Sequence, residues 1–162
     1  MSQYPADPVI KGFRDEFDRF WDLMEKQINV CPDEIWNKKE SGWVFWQQLY
    51  HTAACVELFA LPEGRPSALK LEREVWMLVK EPERTVGKDE LLDLFGSMRL
   101  LAYDYMRATS AASLAEVDPD VTKRFGREVT RLFVLLGLIR HCCYHLGCCD
   151  SILRNHGLKG VY

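Results

Sequence analysis

The sequence has few of the features that mark exported, membrane-spanning or nucleic-acid-binding proteins. Charged residues are scattered through its first twenty positions, which argues against the apolar core of a signal peptide. Its longest apolar run, Leu132 to Ile139, lies between two arginines and is too short to span a bilayer. Basic residues do not exceed acidic ones, since 21 Lys and Arg stand against 24 Asp and Glu. We therefore expect a cytoplasmic protein with neither nucleic acid nor membrane as a partner.

Paired CxxC motifs are also lacking, so the sequence does not support a structural zinc ribbon. The six cysteines include two adjacent pairs and are Cys31, Cys55, Cys142, Cys143, Cys148 and Cys149. Neighbouring cysteines are poorly placed to bridge each other, and a chain of 162 residues needs no disulfide to bury a core. We interpret the cysteines as reduced thiols, most of them small buried side chains.

Apolar spacing at three and four residues predicts helices in almost the whole chain. The four predicted long helices run from Pro8 to before Pro32, from Gly42 to Leu61, from Asp89 to Thr109, and from Arg127 to Asn155. Long connections occupy residues 62–87, with a short helix predicted at 69–79, and residues 110–125. An up-down bundle would have short loops, so we expect at least one crossover. The sequence predicts a single all-α domain over residues 1–162, a four-helix bundle with long crossover connections.

Histidine is scarce, and three of the four histidines are spaced for metal binding. His141 and His145 stand at i and i+4, which places both rings on one face of a helix. His51 lies in the middle of the second predicted helix and would complete a three-nitrogen site if the two helices are neighbours. The alternative is that these histidines are hydrogen-bonded core residues. His156, beside Gly157 at a helix end, is interpreted as structural.

The order of these features resembles the DinB/YfiT-like superfamily, whose members are four-helix bundles described as metalloenzymes. The resemblance covers nearly the whole chain. It rests on the amphipathic first helix, the loop Pro32 to Trp36, and Trp43 opening the second helix. It rests also on a histidine in that aromatic-rich helix and on a late HxxxH motif, which is followed by Leu-Gly and by an Ile-Leu-Arg stretch ending in His-Gly. It implies up-down-down-up connections and a divalent metal ion bound by His51, His141 and His145. It also implies a homodimer, because members of the superfamily are often dimers.

Three imidazole ligands leave a divalent ion with open coordination positions, which is typical of catalytic sites. Imidazole suits several metals, of which we expect zinc or nickel. The resemblance implies a thiol-dependent S-transferase or isomerase that uses a low-molecular-weight thiol and an unknown small-molecule substrate. The alternatives are a non-catalytic metal-binding or stress-related module and a helical interaction protein. Metal affinity should fall as the pH drops through about 6.5, because only neutral imidazole binds an ion.

Several neighbours of the histidines have two interpretations. Three cysteines share helical faces with the histidines: Cys55, Cys148 and Cys149. One of them could be a fourth metal ligand, or all three could be packing residues, and packing is favoured. Gln47 and Gln48, one turn before His51, either orient a ligand or are solvated surface side chains, and the surface interpretation is favoured. The tryptophans are interpreted as core or interface residues, and the alternative is that they line a pocket. They are Trp21, Trp36, Trp43, Trp46 and Trp76.

Overall fold

The structure, a computed structural model, describes residues 7–40 and 42–162 and is predominantly helical there. The α-helices of these residues are α1 (Pro8–Val30), α2 (Asp33–Trp36), α3 (Phe45–Ala60), α4 (Arg73–Trp76), α5 (Lys88–Arg107), α6 (Pro119–Phe125) and α7 (Arg131–Asn155). A 3-10 turn (Ala111–Ser113) precedes α6, and strands β1 (Lys39–Glu40) and β2 (Trp43–Val44) form a small hairpin. The all-α prediction is confirmed. Residues 1–6 and 41, which the predicted domain includes, lie outside the described residues.

The ends of the two outermost long helices follow the sequence signals. The Asp7 carboxylate accepts hydrogen bonds from the backbone N–H groups of Val9 and Ile10, which caps the start of α1. The helix ends at Val30, before Pro32, as predicted. At the other end of the chain, Gly157 adopts a φ of +75°, the left-handed conformation that glycine tolerates after a helix. Both boundaries were predicted from the sequence.

The four long helices α1, α3, α5 and α7 pack around one hydrophobic core. Helix α1 contacts α5 and α7, and α3 contacts the same two helices. The largest fully buried side chains include Trp21, Trp46, Phe17, Phe45 and Phe95. On α1 and α5, Asp18 pairs with Tyr103 and Asp22 with Arg99, so these helices run in opposite directions.

Helices α3 and α7 also run in opposite directions. Phe59, late in α3, contacts Phe133, early in α7, whereas His51 contacts His141 farther along α7. This antiparallel pairing brings the middle of α3 against the middle of α7, where His141 and His145 lie. It is the packing relationship on which the candidate site depends.

Three boundary predictions need correction. Trp43 does not open a helix but pairs with Glu40 in the hairpin, because Gly42 at φ +94° supplies a turn between two short β segments. The short helix predicted at 69–79 is only one turn, α4. The last helix begins at Arg131 and not at Arg127, because the Thr130 hydroxyl accepts from the Phe133 N–H and caps it there.

The connection predicted as a polar linker at residues 110–125 contains helix α6. Asp118 caps this helix by accepting from the Val121 N–H, and Pro119 occupies its first position. Gly126 at φ +65° follows its end. The Asp-Pro start signal was the same as that of α1, but α6 is too short to show an apolar period.

Helix α7 is, within the described part of the chain, the helix long and apolar enough by length and composition to cross a membrane. Helix α7 is longer than the apolar run Leu132 to Ile139, because the helix continues to Asn155. Core helices pass the same test, and α7 buries one side against α1 and α3. The observation is therefore weak evidence for a membrane span.

Candidate metal centre

The structure brings the three predicted histidines together between α3 and α7. The ring centroids of His51, His141 and His145 are 4.8 Å apart in each pair. One nitrogen from each ring lies within 4.8 Å of the other two, and this is the group in the described residues that could hold a metal ion. His51 and His145 are buried and His141 is half-buried. The cluster therefore lies at the edge of the core, with one side toward solvent.

His51 is oriented by a backbone carbonyl from the first long connection. Its Nδ1 lies 2.6 Å from the carbonyl oxygen of Trp76, which can only accept a hydrogen bond. Nδ1 therefore carries the proton and donates, and Nε2 keeps a free lone pair. A hydrogen bond of this kind fixes the tautomer and the orientation of a metal-binding histidine.

The other two rings have polar atoms that a metal ion would satisfy. The Nε2 atom of His141 lies 3.0 Å from Nε2 of His51, so two potential ligand atoms face each other. The Nδ1 atom of His145 is buried and has no hydrogen-bond partner in residues 7–40 and 42–162. Buried polar atoms are normally satisfied, so this donor set fits a bound cation.

All three rings are held neutral by their surroundings. Burial lowers the pKa of His51, although the hydrogen bond to Trp76 opposes this shift. Burial, the His51 ring and Arg140 lower the pKa of His141 to about 4. Burial and the two neighbouring histidines lower the pKa of His145 to about 3. Neutral imidazoles have the protonation state that metal binding requires.

The six cysteines differ in their exposure to solvent. Cys31, Cys55, Cys142 and Cys149 are buried, Cys148 is half-buried and Cys143 is exposed, and all six are free thiols. The Cys55 sulfur lies 3.7 Å from Nε2 of His51, but Cys55 is not part of the three-ligand group. Burial raises the pKa of the Cys55 thiol to about 12 and raises the pKa of Cys142 and Cys149 as well. These thiols are therefore protonated in the metal-free protein.

The surface interpretation of Gln47 and Gln48 is wrong, because both side chains are buried. The Gln47 amide donates to the carbonyl oxygens of Val75 and Lys80, at 2.9 and 3.0 Å. These carbonyls belong to the same connection that supplies Trp76. The Gln48 Nε2 atom is buried without a partner in the described chain.

Apart from Trp76, whose carbonyl oxygen contacts His51, the remaining predicted residues contribute nothing to the three-histidine group. His156 caps the end of α7, and its ring bonds to Glu40 of the hairpin instead of to the last carbonyls of the helix. The tryptophans Trp21, Trp36 and Trp46 are buried in the core, and Trp43 and Trp76 are half-buried. Sequence reasoning missed Trp76 as a neighbour of the site, because it contributes a backbone oxygen that every residue type possesses.

The fold and the cluster define an all-α protein with a candidate three-histidine metal site between two antiparallel core helices. The sequence matches the DinB superfamily over residues 16–149, which include all three histidines. The chain therefore belongs to the DinB superfamily. A search of curated proteins found no significant match.

Proposed function

We propose that the protein binds one divalent metal ion through His51, His141 and His145. The observation that carries this proposal is the convergence of three neutral imidazoles from two helices, with one nitrogen each within 4.8 Å of the others. Family membership over residues 16–149 supports it, as do the buried, unpartnered Nδ1 atom of His145 and the tautomer fixed at His51. Zinc or nickel is the proposed ion, because both accept imidazole ligands.

The proposed activity is a thiol-dependent S-transferase or isomerase reaction with a low-molecular-weight thiol. When bound, a divalent ion would supply a Lewis acid that lowers the pKa of a thiol or a water. The protein's own cysteines near the site are poor nucleophiles, since burial raises the pKa of Cys55 to about 12. An external thiol that reaches the half-buried side of the cluster at His141 is therefore the better candidate for the nucleophile.

Metal analysis of purified protein tests the proposed site. Wild type should contain about one zinc or nickel ion per chain, and alanine variants of His51, His141 and His145 should each lose it. His156→Ala is the matched control, because this histidine is at the end of the same helix as His141 and bonds to Glu40. Full occupancy in His141→Ala would contradict the assignment. Thiol-transfer assays with the loaded protein then separate an enzyme from a non-catalytic metal-binding module.

The helix directions support a more specific topology, which we also propose. The pairs α1–α5 and α3–α7 are antiparallel. Helices α1 and α7 run in the same direction, because Ile10 and Arg131 at their starts line one cavity and Gln27, late in α1, donates to the Leu146 carbonyl farther along α7. These directions favour up-down-down-up connections. Residues 62–87 would then be the crossover. We also propose a homodimer, from the family resemblance, and a cytoplasmic location, from the charge pattern of the sequence; sedimentation and cell fractionation test them.

A further inference from the structure

A single turn of the long connection covers His51, and two side chains of α3 hold it there. We call residues 73–80 the α4 turn. His51 donates from Nδ1 to the Trp76 carbonyl in the middle of this turn. Gln47, one helical turn earlier on α3, donates its two amide hydrogens to the Val75 and Lys80 carbonyls, at 2.9 and 3.0 Å. The amide therefore bridges both sides of the carbonyl that orients His51.

The α4 turn has a tight backbone that gives these carbonyls fixed directions. Its N–H groups are turned inward, with Leu78 donating to Val75 and both Val79 and Lys80 donating to the Glu74 carbonyl. Leu78 has a φ of +61°, a left-handed conformation that residues with bulky side chains rarely adopt. Such a conformation persists only where surrounding contacts enforce it. The paired bonds from Gln47 close this turn on the side that faces α3.

We infer that Gln47 is a positioning residue for the metal centre. It holds the α4 turn so that the Trp76 carbonyl accepts a hydrogen bond from Nδ1 of His51, which leaves Nε2 of that ring unprotonated. The inference rests on the proposed metal site for its consequence in binding, but its structural part concerns the metal-free protein.

The physical argument is that loss of the Gln47 amide releases two carbonyls at once. The Val75 carbonyl would keep its hydrogen bond from the Leu78 N–H, but the Val75 and Lys80 carbonyls would both lose their bonds to α3, and the turn would shift. The Trp76 carbonyl would move with it, and His51 would lose the acceptor that selects its tautomer. A ring protonated at Nε2 cannot offer that atom to an ion. Partners of this kind typically change metal affinity by about 10–100-fold.

The matched comparison is Gln47→Met against Tyr50→Phe. Methionine keeps the length and burial of glutamine but removes the donor. Tyr50, on the same helix, also holds the same connection through two hydrogen bonds, from the Lys70 and Leu71 N–H groups to its hydroxyl oxygen. Those bonds lie outside the α4 turn. Both variants loosen the connection, and only Gln47→Met releases the carbonyls beside Trp76.

Nitrogen-detected NMR of 15N-histidine protein without metal gives the first readout. In wild type and Tyr50→Phe, His51 should be protonated at Nδ1 alone, and in Gln47→Met it should populate the Nε2–H tautomer. Chelator competition with zinc gives the second, and we expect about a 10–100-fold weaker Kd for Gln47→Met against less than threefold for Tyr50→Phe. Gln47→Asn, which keeps the amide on a shorter chain, should weaken binding in the same direction if Gln47→Met does not fold.

Two outcomes would overturn the inference. One is an Nε2–H tautomer of His51 in metal-free wild type. The other is an equal loss of zinc affinity in Gln47→Met and Tyr50→Phe, which would reduce Gln47 to a general support of the connection. Failure of wild type to bind zinc or nickel at all is a separate result, because it contradicts the proposed function and leaves the tautomer measurement to decide the role of Gln47.

Discussion

The Nε2 atoms of His51 and His141 lie 3.0 Å apart, a distance at which one neutral imidazole donates a hydrogen bond to the other. Because the Nδ1 atom of His51 donates to the Trp76 carbonyl, its Nε2 atom must accept. His141 therefore carries its proton on Nε2 in the metal-free protein. This hydrogen bond occupies the space between two proposed ligand atoms, so it holds the two rings in place before any ion arrives.

The first prediction is that metal binding changes the tautomer of His141 and not that of His51. If His141 binds the ion through Nε2, its proton must move to Nδ1, whereas Nε2 of His51 already carries no proton. Nitrogen NMR of 15N-histidine protein before and after zinc addition measures both rings. A proton on Nε2 of His141 in the zinc-bound state would contradict ligation through that atom.

The second prediction concerns stability without metal. The pKa values of His141 and His145 are lowered to about 4 and about 3 in the folded state, against about 6.5 in an unfolded chain. Below pH 6.5 the unfolded state therefore binds more protons, and the free energy of unfolding falls as the pH falls. For each histidine whose folded pKa lies below 5, the loss between pH 6.5 and 5 is at most about 2 kcal/mol.

Urea unfolding of metal-free protein at pH 7 and pH 5 measures this loss. His145→Gln is the control, because glutamine has similar polarity and does not titrate in this range. The variant should lose less stability than wild type over the same interval. Equal losses in the two proteins would mean that His145 is not held neutral by the fold.

The same shifts move the pH window for metal release. The free-histidine value places the loss of affinity near pH 6.5, but burial keeps His141 and His145 neutral in the folded apo-protein down to about pH 4. We therefore predict that zinc affinity falls only modestly between pH 7 and 5 while the protein stays folded, and steeply below that. Chelator competition, with circular dichroism recorded at each pH, checks the window. A tenfold loss already at pH 6.5 would contradict the lowered values.

Much of the site could be predicted from sequence because it depends on helical periodicity. Two histidines four residues apart share a face on any helix. The second predicted helix offered His51 as the third ligand if the two helices are neighbours, and the family resemblance supported that choice. The bridge from Gln47 to the α4 turn could not be predicted, since backbone carbonyls have no sequence signature. All residues of α3 except Leu58 are buried, so the connection covers a face that an amphipathic pattern would leave to solvent. That coverage explains why the surface interpretation of both glutamines was wrong.

A further prediction tests the contact that sets the distance between α3 and α7. A Cβ added at Gly137 would lie 2.9 Å from the Phe59 ring, which is itself packed against Phe125 and Phe133. Gly137→Ala should therefore destabilise the protein by about 1–3 kcal/mol, although alanine is the better helix former. Gly147→Ala on the same helix has open space and should stabilise by about 0.5–1 kcal/mol. Urea unfolding of both variants measures the contrast, and equal effects would contradict it.

The last prediction concerns Cys55, whose sulfur lies 3.7 Å from Nε2 of His51. We predict that it is not a metal ligand, because the group of converging ligand atoms contains the three imidazoles and no cysteine of the described chain. Cys55→Ala and Cys55→Ser should then change zinc affinity by less than about tenfold, below the range typical of groups that orient a ligand. Cys148→Ala and Cys149→Ala should have equally small effects.

Cobalt substitution gives the decisive measurement, because a thiolate ligand adds a near-ultraviolet charge-transfer band that an all-imidazole site lacks. We expect no such band in wild type. Burial raises the pKa of Cys55 to about 12, so ligation would also require an ion to displace a firmly held proton. A strong band that disappears only in Cys55→Ala would overturn the prediction. It would also turn the open three-histidine site into a closed four-ligand site, which is the arrangement typical of structural zinc.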